Sequence, residues 1–299
     1  MRIDKQAITD FFTDLQDHIC QALEITDGTG TFHEDRWERA EGGGGRTRII
    51  QQGGVIEKGG VLFSAVHGPA SEAVLKQMKA TQPTDFYATG VSIVLHPHSP
   101  MVPIIHMNVR YFELSTGECW FGGGIDLTPH YVDAEDARWF HAQLKTACDR
   151  HDPAYYPQYK TWADDYFFIR HRAETRGIGG IFFDYLRPGD DDHKAALFAF
   201  VQEVGNSFAP IYTHFMQKNR DLPFGKREKK WQMLRRGRYV EFNLVWDRGT
   251  KFGLETNGRT ESILMSMPPQ ANWVYDYQPE AGSREAETLQ WLKKGVNWV

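Results

Sequence analysis

Cysteine is scarce in this chain: three in 299 residues, at Cys20, Cys119 and Cys148. An odd number at wide spacing forms neither a disulfide framework nor a short-spaced zinc cluster, and predicts a reducing compartment. Long apolar runs are missing. Residues 91–95 form one of the longest, far short of the roughly 20 residues that cross a bilayer. The opening Met1-Arg2-Ile3-Asp4-Lys5-Gln6 is polar and does not read as a signal peptide, so a cytoplasmic location is expected. There is no basic tail and the net charge is −5, which argues against nucleic acid as the main partner. The dinucleotide glycine fingerprint, the phosphate loop and the nucleophile elbow are also absent. Gly42-Gly43-Gly44-Gly45-Arg46 lacks the strand-then-helix setting of a phosphate loop. It reads as a mobile loop whose Arg46 and Arg48 face a ligand. No linker, repeat or low-complexity tract divides the chain, so one domain over 1–299 is expected.

Aromatic residues are plentiful, with 9 Trp, 12 Tyr and 19 Phe, enough for cores, interfaces or a flat ring ligand. The most informative stretch is 91–129. Period-2 alternation puts Val91, Ile93 and Leu95 on one face and Ser92, Val94 and His96 on the other. After a Pro-rich loop, Ile105, Met107 and Val109 share a face, and His106, Asn108 and Arg110 share the opposite one. An ordinary solvated strand face uses Lys, Glu and Thr. A His-Asn-Arg face suits an anionic, hydrogen-bonding ligand.

The rest of the pattern alternates strands with helices. Asp4 caps a first helix with stripe Phe12, Leu15, Ile19 and Leu23. Short strands are expected at 47–50, 55–57 and 61–66, separated by Gly pairs, and then at 91–96, 103–112 and 119–123. Asp133 opens a helix to about 150, and a second helix covers about 157–175. A buried strand at 178–184 precedes helices near 193–219 and 227–235. Residues 239–246 alternate Val240, Phe242, Leu244 and Trp246 against the remainder, and with 251–255 read as a β-hairpin. A last helix covers about 284–294. Short links between strands favour antiparallel pairing. The fold class is therefore α+β, a single domain with one large antiparallel sheet covered by helices.

Three groups of residues carry candidate chemistry. His96, His106, His141 and His171 lie on four separate elements. They read either as a divalent-metal set or as residues among which one transfers protons, the second being preferred for His96 and His106. Arg110, Arg176 and Arg259 each sit beside glycine or amide groups, and three guanidinium forks together point to a polycarboxylate. Asp126 follows three glycines, so its backbone can approach a ligand closely, and a carboxylate near arginines stays ionised.

These segments resemble the oxygen-dependent coproporphyrinogen III oxidase family, the aerobic enzymes of haem synthesis. The resemblance covers nearly the whole chain. It rests on Glu41 through Arg46, on His96-Pro97 through His106 with Asn108-Val109-Arg110-Tyr111-Phe112, and on Trp120-Phe121-Gly122-Gly123-Gly124-Ile125-Asp126-Leu127-Thr128-Pro129. It continues in His171-Arg172, Arg176 through Asp184, Arg236 through Leu244 and Glu261 through Pro269. The short N-terminus resembles the bacterial form.

The resemblance implies a flat antiparallel sheet between helical layers, and a homodimer assembled through 239–274. It implies conversion of two propionates of coproporphyrinogen III to vinyl groups by O2, with release of CO2 and H2O2 and no flavin, haem or nicotinamide. In its terms Ser92, Asn108-Val109-Arg110 and Asn257-Gly258-Arg259 match substrate-binding positions. Asn257 departs from a pattern that has a small residue such as glycine there. His106 matches the proton donor, and His96, His106, His141 and His171 match metal ligands, Mn or similar. Arg110, Arg176 and Arg259 are expected to hold propionates and Asp126 to accept the pyrrole N–H groups, with His106, Asp126 and Arg110 as the catalytic set. Two rival readings are a non-catalytic tetrapyrrole carrier and a metal-dependent oxygenase.

Overall fold

The computed structural model describes residues 3–70, 75, 83–255 and 258–299. Helix α1 (Lys5–Asp27) begins where the Asp4 carboxylate accepts the Ala7 N–H at 2.8 Å. It ends where Gly28, at φ +87°, takes the left-handed cap conformation. Ile8, Phe12, Leu15, Ile19 and Leu23 are its buried stripe. Seven strands then form one antiparallel sheet: β1 (His33–Glu38), β2 (Gly43–Gln51), β3 (Ile56–Pro69), β4 (Asp85–Pro97), β5 (Ile104–Leu114), β6 (Cys119–Thr128) and β9 (Gly180–Leu186), in the order β1-β2-β3-β4-β5-β6-β9. A two-residue pair, β7 (Phe168–Ile169) with β8 (Glu174–Thr175), stands apart from it.

The sheet is covered on both faces. Helices α1, α2 (Ala134–Asp149), α3 (Tyr155–Tyr166) and α4 (Asp191–Asn219) make the main core, with Val61, Val91, Ile93, Ile105, Met107, Val109 and Ile125 beneath them. Helix α5 (Lys226–Val245) lies over the other face. Its Tyr239 packs on Val94 and Ile104, and its Phe242 on Phe167 and Phe182. Helices α6 (Arg248–Glu255) and α7 (Thr260–Leu264) follow, and α8 (Arg284–Trp291) is the last. The fold is thus α+β, one sheet sandwiched between helical layers.

Several details differ from the sequence-based expectation. The glycine run at 42–45 is not a loop: it enters β2, because a Cβ at Gly43 or Gly44 would stand 2.2 Å from the Ala65 or Trp37 carbonyl of the neighbouring strands. Arg46 and Arg48 point away from the candidate ligand face, bonding Gln16 and Asp17 of α1 and Glu34. Strand β3 runs unbroken through Gly59 and Gly60, and α3 stops at Tyr166. Residues 239–246 are helical, and so are 251–255. In α5 the buried positions Gln232, Arg235, Arg236, Tyr239, Phe242 and Asn243 recur at helical spacing. The apparent alternation is unused: Leu244 is 46% exposed.

Candidate active site

Strand register assembles the site. His106 on β5 stands opposite Val94 on β4 and Asp126 on β6, and Asp126 stands opposite Gly180 on β9. One step along, Ser92, Asn108, Gly124 and Phe182 form the next row across the same face. Then come Gly90, Arg110 and Gly122. Alternation thus delivers the expected Ser-His-Asn-Arg face, and the glycines leave it low.

At its centre the His106 Nδ1 and Asp126 Oδ1 atoms are 2.8 Å apart. Arg176 grips the same carboxylate at two points, Nη2 to Oδ1 at 2.6 Å and Nε to Oδ2 at 3.2 Å, and its Nη1 donates to Asn243 Oδ1 at 2.9 Å. The guanidinium lies 4.5–4.6 Å from the ring centres of Phe167, Tyr239 and Phe242. Burial alone would raise the Asp126 pKa; the Arg176 charge and the His106 bond outweigh it and hold the carboxyl below its ordinary value. An ionised Asp126 makes Nδ1 the donor of a neutral His106, so Nε2 is the ring's acceptor. His106 keeps 21% of its side-chain surface open, whereas Asp126 keeps 1%. Arg110 extends the face, its Nη1 donating to Asn108 Oδ1 at 2.8 Å and its Nη2 sitting 2.8 Å from Asp184 Oδ2.

The other expected residues differ in how far they are open or already engaged. Arg176 is saturated by Asp126 and Asn243 rather than turned to the open face. Asp126 lies under His106 and Arg176, bonded to both. The Val109 side chain faces the main core, so only its backbone borders the face. Ser92 is half-buried. Arg259 pairs with Asp35, and the Gly258 N–H donates to Gly253 O at 2.8 Å. Asn257 lies outside the described residues.

The four histidines do not assemble. His141 is in the main core across the sheet, with Nδ1 3.0 Å from Tyr156 Oη and Nε2 2.9 Å from Ile178 O. His171 follows β7, its Nε2 2.7 Å from Glu241 and its Nδ1 accepting from Trp246 Nε1 at 2.9 Å. His96 is fully buried, with Nε2 2.8 Å from Ser266 O. Among the described residues no three His, Cys, Asp or Glu side chains gather to hold a metal ion. The residues present therefore do not fit the four-histidine ligand set. Sequence reasoning missed Asp184 and Asn243. Asp184 was within reach, because alternation through 178–184 puts it on the same side as Phe182; Asn243 was hidden by the hairpin reading.

A buried carboxylate–arginine pair orienting a partly open histidine, with a further arginine along the same flat face, defines an acid–base site for an anionic organic substrate. Residues 7–298 match the family model described as coproporphyrinogen III oxidase. An oxygen-dependent coproporphyrinogen-III oxidase from Parasynechococcus marenigrum (strain WH8102) is 49% identical, over 95% of this chain and 85% of its own. The chain belongs to the coproporphyrinogen III oxidase family.

Proposed function

We propose that this chain oxidatively decarboxylates two propionate groups of coproporphyrinogen III to vinyl groups, giving protoporphyrinogen IX with O2 as oxidant. For each propionate the bond to the carboxylate breaks and CO2 leaves, and that electron pair becomes the new C=C bond. The neighbouring carbon gives up its hydrogen as a proton and two electrons. O2 takes both electrons, that proton and one more from water, leaving as H2O2.

The single observation that carries the reading is the His106–Asp126–Arg176 array set into a flat, glycine-floored sheet face. His106 is the catalytic residue, moving a proton through Nε2. Asp126 and Arg176 are positioning residues: they fix the tautomer and supply a charge that stabilises an imidazolium. Arg110 holds a propionate, with Ser92, Asn108, the Val109 backbone, Gly258 and Arg259 as the further substrate-binding positions. His106→Gln should lower kcat about 10²–10⁴-fold with KM for the porphyrinogen little changed. Turnover near the wild-type rate in a folded His106→Gln protein would end the assignment.

Oxygen consumption separates this reading from a tetrapyrrole carrier. Addition of coproporphyrinogen must draw O2 and evolve CO2 without added reductant, and label from O2 must not enter the product as it would with an oxygenase. The proposal includes a homodimer in a cytoplasmic setting. It draws on the exposed apolar residues Leu244, Val245, Trp273 and Val274, which cluster in sequence at 244–274. Among the described residues no helix is long and apolar enough to cross a membrane.

A further inference from the structure

The two arginine–carboxylate pairs of the site differ in how firmly they are held. Arg176 and Asp126 keep 2% and 1% of their side-chain surface open. Arg110 and Asp184 keep 37% and 19%. Water reaches the second pair, so its charges can part without being stranded in a dry interior. A β-bulge brings Asp184 to this place. Gly123 faces Phe183 and Phe121 faces Leu186, so Gly122 alone on β6 stands against two residues of β9, Asp184 and Tyr185. Tyr185 takes φ +52°, a left-handed conformation that a bulky residue keeps only where its surroundings impose it. Regular alternation would send its ring to the core side. Instead the ring lies 5.4 Å from that of Trp120, and the Tyr185 N–H donates to Asp184 Oδ1 at 2.9 Å. The bulge thus ties one carboxylate oxygen to the backbone and leaves the other, Oδ2, 2.8 Å from Arg110 Nη2.

Arg110 has little else to offer a ligand. Its Nη1 donates to Asn108 Oδ1 at 2.8 Å. Its Nε lies down on Gly122, where a Cβ would stand only 3.0 Å away. That leaves Nη2, and Asp184 holds it. A substrate carboxylate arriving at Arg110 therefore meets a carboxylate already in place, and like charges brought together on one nitrogen repel.

We propose that Asp184 is an internal stand-in for the substrate's propionate. It neutralises Arg110 in the empty site, gives up Nη2 when the tetrapyrrole binds and takes it back when the tetrapyrrole leaves. The assignment rests on the reading above in which Arg110 holds a propionate. Asp126 could not play this part, because parting it from Arg176 would leave a buried charge uncompensated. Asp184 released from Arg110 keeps the Tyr185 N–H and its access to water. It is a positioning residue, acting on the substrate through Arg110. Its charge weakens the hold of Arg110 on any carboxylate, so the propionates that the product retains come away.

The sign of one effect tests it. Coproporphyrin III, the stable oxidised tetrapyrrole with the same propionates, is titrated into the wild type, Asp184→Asn and Asp184→Glu by fluorescence. Asp184→Asn should bind it at least about fivefold more tightly, and Asp184→Glu, which keeps the charge, within about twofold of the wild type. KM for the porphyrinogen should fall with Kd in Asp184→Asn, and kcat should not rise, because release slows. A mere prop for Arg110 predicts the opposite sign, since losing it would loosen the arginine and weaken binding. Unchanged or weaker binding in a folded Asp184→Asn protein therefore overturns the proposal. A crystal of the wild type with coproporphyrin III needs no variant. It should show a porphyrin carboxylate on Arg110 Nη2 and the Asp184 carboxylate beyond about 4 Å of that nitrogen. A porphyrin carboxylate on Arg110 with the Asp184 pair still closed overturns the exchange alone. A wild-type chain that binds no coproporphyrin III brings down the substrate reading, and the exchange with it.

Discussion

Arg176 and Arg110 are both arginines beside a carboxylate, and their surroundings give them opposite duties. Arg176 is buried, doubly bonded to Asp126 and wrapped by three rings. Arg176→Lys keeps a charge but loses the fork and the ring stacking. It should cost about 1.5–3 kcal/mol of stability, seen as a lower urea midpoint, together with a fall in kcat. Asp126→Asn should be worse, because it leaves a buried guanidinium without its counterion, a loss of about 3–5 kcal/mol. Arg110 is 37% exposed, so Arg110→Lys should hardly move the urea midpoint. Its effect should fall on KM for the porphyrinogen, upward by at least about tenfold; an unchanged KM would remove Arg110 from the clamp. At this scale Asp126 stood out by the three glycines before it, and His106 and Arg110 were legible, because strand alternation alone sorts them to one face. Arg176 was not: its glycine-rich flank, Gly177-Ile178-Gly179-Gly180, reads as an open anion loop. Only the pairing of β6 with β9 shows that the glycines let two backbones touch.

That contact governs the element scale. Gly180, at φ +158°, would place a Cβ 1.9 Å from the Ile125 carbonyl, directly beside Asp126. Backbone cannot yield there as a flexible side chain would. Gly180→Ala should separate β9 from β6, lowering the melting temperature and kcat together. A second element-scale device is the Asp27 carboxylate, which accepts the N–H groups of Gly30, Gly54, Val55 and Ile56 at 2.6–2.9 Å and pins the β2–β3 turn to the end of α1. Burial pushes its pKa up, and those bonds bring it below the ordinary value. On α8, burial likewise opposes the Glu285 charge, while Arg227 and Tyr131 pull its pKa down to about 2. Both carboxyls titrate lower folded than unfolded. Their stabilisation is whole above roughly pH 5 and drains as pH falls toward 2. Glu285→Gln should therefore flatten the acid limb of the stability curve and lower stability at pH 7 by up to about 2–3 kcal/mol, less the screening lost to the exposed Arg227. Equal acid limbs in mutant and wild type would contradict this. Most elements were legible from periodicity and caps, since Asp4 and Asp133 both cap as read. Residues 239–246 were misread because every second residue is apolar, while the positions that bury α5 include Gln232, Arg235, Arg236 and Asn243. Polar residues facing a polar site carry no hydrophobic signal.

For the whole molecule, the α+β class and the two covered faces followed from short antiparallel links and long helices. Which helices cover which face did not, because the β4–β6 face looks half-polar from sequence and only a partner as polar as α5 can close it. The proposed dimer belongs to this scale. Light scattering at micromolar concentration should return twice the 34.4 kDa chain mass, and Leu264→Arg, a charge at a half-buried position on α7, should yield monomer or aggregate. A well-behaved wild-type monomer would sink the dimer.

The platform strands β4 to β6 leave the ribosome long before α5. A nascent chain thus carries a finished floor with no roof, its Val94, Ile104 and Phe182 bare to water. The wall that desolvates Arg176 also supplies its Asn243 bond. A chain that has not yet docked α5 has neither a sealed surface nor a desolvated Arg176. Docking α5 therefore covers the apolar floor and supplies the Asn243 bond to Arg176 at once.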